Sequence, residues 1–143
     1  VDAPMGRHPR QRKKMAVLVA GGKPAITHYR LAQRFGHHSR ITVNLETGRT
    51  HQIRVHMAHR RYPLIGDPTY GGRPRIPKGA SDRLIDALRS FSRQALHART
   101  LGFIHPSTNE WVEFECPLPD DILGLIAVLE QEDLPLARDT TLY

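Results

Sequence analysis

The chain has 143 residues, of which 39% are hydrophobic and 24% are charged, and its formal net charge is +7. This length suits one domain or a large part of one, and the composition is globular rather than fibrous or disordered. The sequence contains no apolar run long enough for a membrane-spanning helix and no apolar signal-peptide core. The one cysteine, Cys116, forms neither an internal disulfide nor a zinc site by itself, so we expect a reducing, cytoplasmic setting. Because the first residue is Val1, we expect the chain to begin inside a longer protein.

Positive charge is concentrated in the first half of the chain. Residues 1–75 carry a balance of +12, whereas residues 76–143 carry −5. Part of this asymmetry fits an ordinary basic surface. A side that faces a polyanion explains it better, because Lys and Arg neutralise phosphates and release condensed counterions. The charge therefore predicts a phosphate-rich partner and does not separate RNA from DNA.

Residues 1–46 predict three strands. The apolar run 15–19 ends at the turn signal Gly21-Gly22, so it predicts a short strand after a polar, basic arm. A second strand is expected over residues 25–35. Residues 40–46 alternate apolar with polar side chains, and this period of two predicts a half-buried strand.

The remaining sequence predicts three helices and a hairpin. Thr50 is predicted to cap the first helix, which runs to about Arg60. The other elements are a turn-rich loop over 63–79, helices over 82–91 and 119–131, a hairpin of 98–104 with 111–116, and a frayed tail over 132–143. Because strands and helices alternate irregularly, we expect an α+β domain with a mostly antiparallel or mixed sheet and flanking helices.

The segment 49–56 holds the densest set of chemically active side chains. It leaves a strand, turns at Gly48 and enters a helix with two arginines, two histidines and a glutamine. A helix N-terminus presents free N–H groups, and arginine donates paired hydrogen bonds to oxyanions, so the segment predicts a phosphate or carboxylate site. The alternative is a capped helix with a solvated polar face.

The histidines raise two further alternatives, a metal site and a nuclease. His56 and His59 have the spacing of one helix face, but neighbouring arginines repel a metal ion and no carboxylate or thiolate is near in sequence. We therefore expect no metal site. Acid–base catalysis by His51 and His56, as in a nuclease, is compatible with the pKa of histidine, but two histidines do not specify it.

Residues 48–56, Gly-Arg-Thr-His-Gln-Ile-Arg-Val-His, closely resemble the signature of RluA-type pseudouridine synthases. Further segments that match this family are residues 4–9, 22–29, 63–72, 73–81 and 93–98. The resemblance implies a pseudouridine synthase catalytic fold, isomerisation of uridine in large-subunit ribosomal RNA, and no cofactor. It also implies a monomeric RNA-binding protein without a membrane partner.

The resemblance also implies that essential parts lie outside this sequence. Family members use an aspartate in a His-Arg-Leu-Asp motif and a tyrosine, from a second motif, that stacks on the base. Neither motif occurs in the 143 residues. We therefore expect residues 1–131 to be the C-terminal portion of a catalytic domain, without the RNA-binding domain that precedes it in many relatives, and inactive alone. The main alternative is a non-catalytic basic RNA-binding module.

The family match implies roles for individual residues. Arg54 matches the arginine that pairs with the catalytic aspartate, and without that aspartate we expect Arg54 to carry an unpaired charge. Asp67 is a tempting substitute nucleophile, but Gly66-Asp67-Pro68 is typical of a turn and is not the catalytic position of the family. The residues expected to contact RNA are Arg49, His51, Gln52, Arg60, Arg61, Arg73, Arg75 and Lys78.

Overall fold

The computed structural model of the chain describes residues 1–132, which contain six strands and three helices. The strands are β1 Met5–Arg7, β2 Met15–Val17, β3 Thr27–Phe35, β4 His38–Leu45, β5 Thr100–Ile104 and β6 Trp111–Glu115. The helices are α1 Gln52–His59, α2 Asp82–Ser90 and α3 Asp120–Glu130. Neighbouring strands pair as three separate antiparallel ladders, β1 with β2, β3 with β4 and β5 with β6. The predicted α+β class and antiparallel pairing are confirmed, although the described strands form three small ladders instead of one sheet.

The first hydrophobic cluster fastens α1 to the N-terminal strands. Met5, Ala25 and Val55 are buried there, and Tyr70 packs against them together with Met15 and Val17 of β2. Met5 and Lys23 exchange two backbone hydrogen bonds of 2.9 and 2.8 Å, which add a short third segment beside β1. This packing fixes where α1 begins relative to the N-terminal strands, and therefore where the segment 49–56 lies.

The second cluster joins the two C-terminal helices. Leu84 and Leu88 of α2 lie one helical turn apart and pack against Leu125 and Leu129 of α3. The Ser81 hydroxyl caps α2 by accepting a hydrogen bond of 3.1 Å from the backbone N–H of Leu84. The residues at helical spacing in α2 are therefore those that contact α3.

The two longer hairpins each have one apolar face. In β3–β4, Tyr29 pairs with Val43 and Leu31 pairs with Ile41 on the same side of the ladder. In β5–β6, the corresponding pairs are Leu101 with Phe114 and Phe103 with Val112. Leu31, Leu101 and Phe114 are each more than half exposed within the described residues.

Glycine allows a close approach of two segments at Gly66. Its φ is 72°, and an added Cβ would lie 2.2 Å from the carbonyl oxygen of Arg93. Next to it, the Ala95 backbone N–H donates a hydrogen bond of 2.8 Å to the Ile65 carbonyl. The turn at Gly66 thus holds residues 93–96 against the loop that leads to Asp67.

Several predicted boundaries need correction. Thr50 is exposed and does not cap α1; His51 occupies that position in a left-handed conformation, with φ 56° and no side-chain cap. Strand β1 lies inside the segment predicted as a loop. In the predicted tail, Glu132 accepts hydrogen bonds from the backbone and hydroxyl of Ser81, and residues 133–143 lie outside the described residues.

Candidate functional site

A buried ion pair between Arg54 and Asp67 lies at the centre of the candidate site. Helix α1 carries Arg54, and the loop after it carries Asp67. The Nε and Nη2 atoms of Arg54 donate hydrogen bonds of 2.9 Å each to the two carboxylate oxygens of Asp67. The side chains are 10% and 0% exposed, respectively. The expectation of an unpaired Arg54 was wrong, because a carboxylate 13 residues further along the chain takes the paired geometry that guanidinium prefers.

Asp67 is held by its own turn. Its Oδ1 atom accepts hydrogen bonds from the backbone N–H groups of Thr69 at 2.9 Å and Tyr70 at 3.0 Å. An aspartate that accepts from the residues two and three positions later defines a local side-chain turn. The prediction that Gly66-Asp67-Pro68 forms a turn is confirmed, and the same carboxylate has the additional task of pairing Arg54.

The protonation states of the pair follow from these bonds. Burial by itself raises the pKa of Asp67, but hydrogen bonds from Arg54, Tyr70 and Thr69 and the charge of Arg54 hold it below its ordinary value. The hydrogen bond to Asp67 raises the pKa of Arg54 above its ordinary value, against the effect of burial. Both groups are therefore charged at neutral pH.

Tyr70 connects this pair to the start of α1. Its ring lies under the guanidinium, with Cζ of Arg54 5.0 Å from the ring centroid. The Tyr70 hydroxyl accepts a hydrogen bond of 2.9 Å from the Met15 backbone and lies 2.8 Å from Nδ1 of His51. These contacts support His51 in its left-handed conformation, which costs a residue with a Cβ about 1–2 kcal/mol.

Gln52, which the sequence predicts as an RNA contact, makes its hydrogen bonds within the protein. It is 3% exposed. Its Oε1 atom accepts hydrogen bonds from the Thr47 hydroxyl and the Arg49 backbone, and its Nε2 atom donates to the Ile26 carbonyl and the Thr27 hydroxyl. All four hydrogen bonds that an amide side chain makes are used inside the protein. Gln52 thus fastens the turn before α1 to β3.

His56 is also interior. It is 0% exposed, its Nε2 donates a hydrogen bond of 2.9 Å to the Ala3 carbonyl, and its Nδ1 accepts one of 2.8 Å from the Thr27 hydroxyl. Burial lowers the pKa of His56, and the hydrogen bond to Ala3 only partly opposes this effect. A nuclease that uses His56 as an acid or base is therefore excluded by its surroundings.

A cleft of about 340 Å³ opens beside Arg54. It is lined by Leu45, Arg49, His51, Gln52, Ile53, Arg54, Gln94 and Leu96. The structure thus brings three predicted site residues, Arg49, His51 and Arg54, to one opening. A second cleft of about 510 Å³ shares Arg49 and adds Arg7 and Lys23, so basic side chains continue along the surface.

The other predicted RNA contacts lie elsewhere. Arg60 and Arg61 follow the far end of α1, about 12 Å along the axis of an eight-residue helix. Arg73, Arg75 and Lys78 are exposed on the loop after Tyr70. Arg75 reaches the carbonyl of Arg61 at 3.5 Å, so these two groups of arginines adjoin.

Sequence reasoning missed three residues of the site. Tyr70 was recognised only as part of a turn, although it contacts both Arg54 and His51. Gln94 and Leu96 form the opposite wall of the cleft, from a segment about 40 residues away. The one sequence signal for these three residues was that their segments, 63–72 and 93–98, match the same family.

The chain is similar to bacterial proteins named ribosomal large subunit pseudouridine synthase D. Residues 1–59 match the family model described as RNA pseudouridylate synthase. The ribosomal large subunit pseudouridine synthase D of Pseudomonas aeruginosa is 58% identical over 132 residues, covering 92% of this chain and 41% of that protein. The protein of the same name from Pasteurella multocida is 56% identical over 143 residues, covering 100% of this chain and 44% of that protein. The chain is thus similar to members of the RNA pseudouridylate synthase family over most of its own length.

These matches confirm the resemblance found at residues 48–56. The chain spans less than half the length of these pseudouridylate synthase relatives. The structure also matches human RNA pseudouridylate synthase domain containing 4, with a TM-score of 0.61 at 22% identity over 94% of this chain and 57% of that one. At that identity the match establishes the pseudouridine synthase fold.

Within residues 1–132, no helix is long and apolar enough to cross a bilayer. Within the same range, no three His, Cys, Asp or Glu side chains come together as ligands for a metal ion.

Proposed function

We propose that the chain is part of an enzyme that converts uridine to pseudouridine in large-subunit ribosomal RNA. The observation that carries this proposal is the identity of 53–58% to bacterial proteins named ribosomal large subunit pseudouridine synthase D. The position of Arg54 on a basic cleft supports it. In this proposal residues 1–131 are the C-terminal portion of a catalytic domain that acts in the cytoplasm.

The reaction needs a carboxylate that these residues do not supply. In the family mechanism an aspartate attacks the ribose or removes its proton as the glycosidic bond breaks. The freed uracil then rotates and bonds through carbon. Arg54 would keep that aspartate ionised and oriented, because a guanidinium lowers the pKa of a neighbouring carboxyl group and binds it through paired donors. The isomerisation adds and removes no atoms, so the proposed reaction needs no cofactor. We also propose that the enzyme acts as a monomer.

The basic cleft and its surroundings would bind the RNA backbone. Arg49 and His51 lie at the opening, and the charge of Arg49 and the N–H donors of both residues suit a phosphate beside the target nucleotide. The more distant cations that we assign to the backbone are Arg60, Arg61, Arg73, Arg75 and Lys78. The base itself would have to leave its stack to reach Arg54.

The test compares the chain alone with a chimera. In the chimera, this chain replaces the matched segment of the Pseudomonas aeruginosa relative, which supplies the remaining length. Ribosomal RNA incubated with each protein is mapped for pseudouridine by carbodiimide modification. We expect site-specific conversion by the chimera and none by the chain alone. RNA binding without conversion by the chimera would favour the non-catalytic module, and conversion by the chain alone would return Asp67 to consideration as the reacting carboxylate.

A further inference from the structure

The Arg54–Asp67 pair carries an inference about how the cleft is built. Asp67 uses both carboxylate oxygens on Arg54, and its Oδ1 also accepts from two backbone N–H groups of its own turn. The carboxylate is therefore fixed by the main chain, not by flexible side chains. A fixed carboxylate in turn fixes whatever cation it binds.

The remaining freedom of the guanidinium is restricted by Tyr70. The ring covers one face of Arg54, with the guanidinium carbon 5.0 Å from the ring centroid. The edge that bears Nε and Nη2 is occupied by Asp67, so the two N–H groups of Nη1 belong to the opposite edge. Arg54 also lines the cleft, which gives that edge access to a bound group.

We propose that Asp67 is a positioning residue that fixes Arg54 so that its Nη1 edge addresses the reacting carboxylate. This inference rests on the proposed function. Asp67 neutralises much of the charge of Arg54, so what Asp67 contributes is orientation and not positive potential. Removing the charge of Asp67 weakens the orientation of Arg54 but strengthens the positive potential. A single substitution therefore distinguishes the two contributions.

Asp67→Asn removes the charge of Asp67 and leaves most of its contacts. An amide oxygen at the Oδ1 position still accepts from Thr69, Tyr70 and Nη2 of Arg54. The amide nitrogen at the Oδ2 position faces the Nε–H donor of Arg54, so that bond is lost and the guanidinium is no longer held along its edge. The variant therefore has a stronger local positive potential and a less defined geometry.

The experiment uses the chimera with the single variants Asp67→Asn and Arg54→Lys and the double variant. We expect Asp67→Asn to lower kcat at least about 10-fold with KM changed by less than about 3-fold, the signature of an interaction used only in the transition state. The double variant should be no slower than Arg54→Lys, because both substitutions disturb one unit. The acidic limb of the kcat–pH profile should move to lower pH in Asp67→Asn, since the unpaired guanidinium favours an ionised carboxylate. A purely structural role would lower the amount of folded enzyme without moving that limb.

Asp121→Asn is the matched control. Asp121 accepts hydrogen bonds of 2.7 and 2.8 Å from Arg93 in the same paired geometry, but both side chains are exposed and outside the cleft lining. Its kcat should equal that of the unchanged chimera. An equal loss in both variants would overturn the proposal, because the effect would then belong to any lost ion pair.

A second measurement does not depend on the folding of Asp67→Asn. In the chimera labelled with ¹⁵N-arginine, and with Arg54→Lys used for assignment, the Nη signals of Arg54 should be separate and slow to exchange. The signals of arginines on the surface should be averaged by rotation. Averaged Arg54 signals overturn the proposal, as does an unchanged kcat in folded Asp67→Asn.

If the unchanged chimera forms no pseudouridine, the proposed function fails and this inference fails with it. If the chimera is active and Asp67→Asn has no effect on kcat, only this inference is overturned.

Discussion

Arg54 is a buried cation that binds one carboxylate within the chain and, in our proposal, orients a second. Its Nε–Nη2 edge is bound to Asp67, and the residue also lines the cleft, to which we assign its Nη1 edge. Burying an ion pair costs desolvation free energy, so packing alone does not explain why Arg54 and Asp67 are buried together. The paired geometry requires a planar group with donors on two edges, which arginine has and lysine lacks.

We predict that Arg54→Lys in the active chimera lowers turnover at least ~100-fold, a rise of roughly 2.7 kcal/mol in the barrier. Lysine keeps the positive charge but has a single ammonium group, which cannot hold Asp67 and a second carboxylate in defined directions. Single-turnover rates of pseudouridine formation measure the effect, and filter binding should give an RNA affinity close to the unchanged value. Near-normal turnover would show that the family match misassigns this residue.

His56 predicts a pH dependence of stability. Its pKa in the folded protein is lowered from 6.5 by burial, so the folded state binds the proton less readily than the unfolded state. Its contribution to stability is therefore complete above the unfolded pKa and is lost as the pH falls through the folded pKa, by at most about 1.4 kcal/mol per pH unit. Asp67, whose pKa is also lowered, acts only at more acidic pH, below its ordinary value of 3.8.

Urea unfolding at a series of pH values measures this slope, with His56→Gln as the test variant and the unchanged chain as the reference. We expect a shallower slope below about pH 6.5 in His56→Gln. Part of the slope should remain, because burial and the charge of His37 also lower the pKa of His38. Equal slopes in the two proteins would contradict the assignment to His56.

At the scale of elements, local patterns were predictable and tertiary contacts were not. The apolar spacing of α2 and the alternation in β5 and β6 are properties of neighbouring residues, and both were predicted within two residues. Strand β1 was missed because its partners, β2 and Lys23, are separate in sequence. The position of Arg54 in the site was predicted from the family motif, but its pairing with Asp67 depends on how the loop folds back, for which the sequence carries no local signal.

At Gly66, the loop before Asp67 and residues 93–96 approach each other too closely to admit a side chain. We predict that Gly66→Ala destabilises the chain by more than about 2 kcal/mol, because a methyl group would overlap the Arg93 carbonyl in addition to straining a positive φ. Gly21→Ala is the matched control, since Gly21 has a similar φ of 77° and nothing within 4 Å of an added Cβ. It should lose only about 1 kcal/mol.

Thermal or urea unfolding of Gly66→Ala and Gly21→Ala, compared with the unchanged chain, measures the difference. In the chimera, Gly66→Ala should also raise KM for RNA, because residues 93–96 carry the cleft wall formed by Gln94 and Leu96. Equal destabilisation by the two substitutions would mean that the loop at Gly66 yields without cost, and the close approach would then have no energetic role.

At the scale of the whole molecule, charge and cleft coincide. The +12 balance of residues 1–75 includes every basic residue of both clefts, whereas α2, β6 and α3 carry half of the acidic residues. Such a division steers a polyanion toward one side before any specific contact forms. Phosphate contacts of this kind position RNA and carry no sequence information directly, so target choice has to come from RNA shape and base extrusion.

RNA affinity of the chain should therefore fall steeply with salt, with or without catalysis. Each phosphate contact contributes about 0.7–0.9 to the slope of log affinity against log salt, so Arg73→Ala should lower that slope by about this amount. The loss of affinity should be similar for a ribosomal stem-loop and an unrelated hairpin. Arg89→Ala, on α2 in the acidic half, removes the same charge outside the basic region and should change neither quantity. Fluorescence anisotropy at several salt concentrations gives both slopes. A flat salt dependence for both RNAs would refute phosphate binding, and a loss confined to the ribosomal stem-loop would mean that the loop after Tyr70 reads RNA sequence or shape.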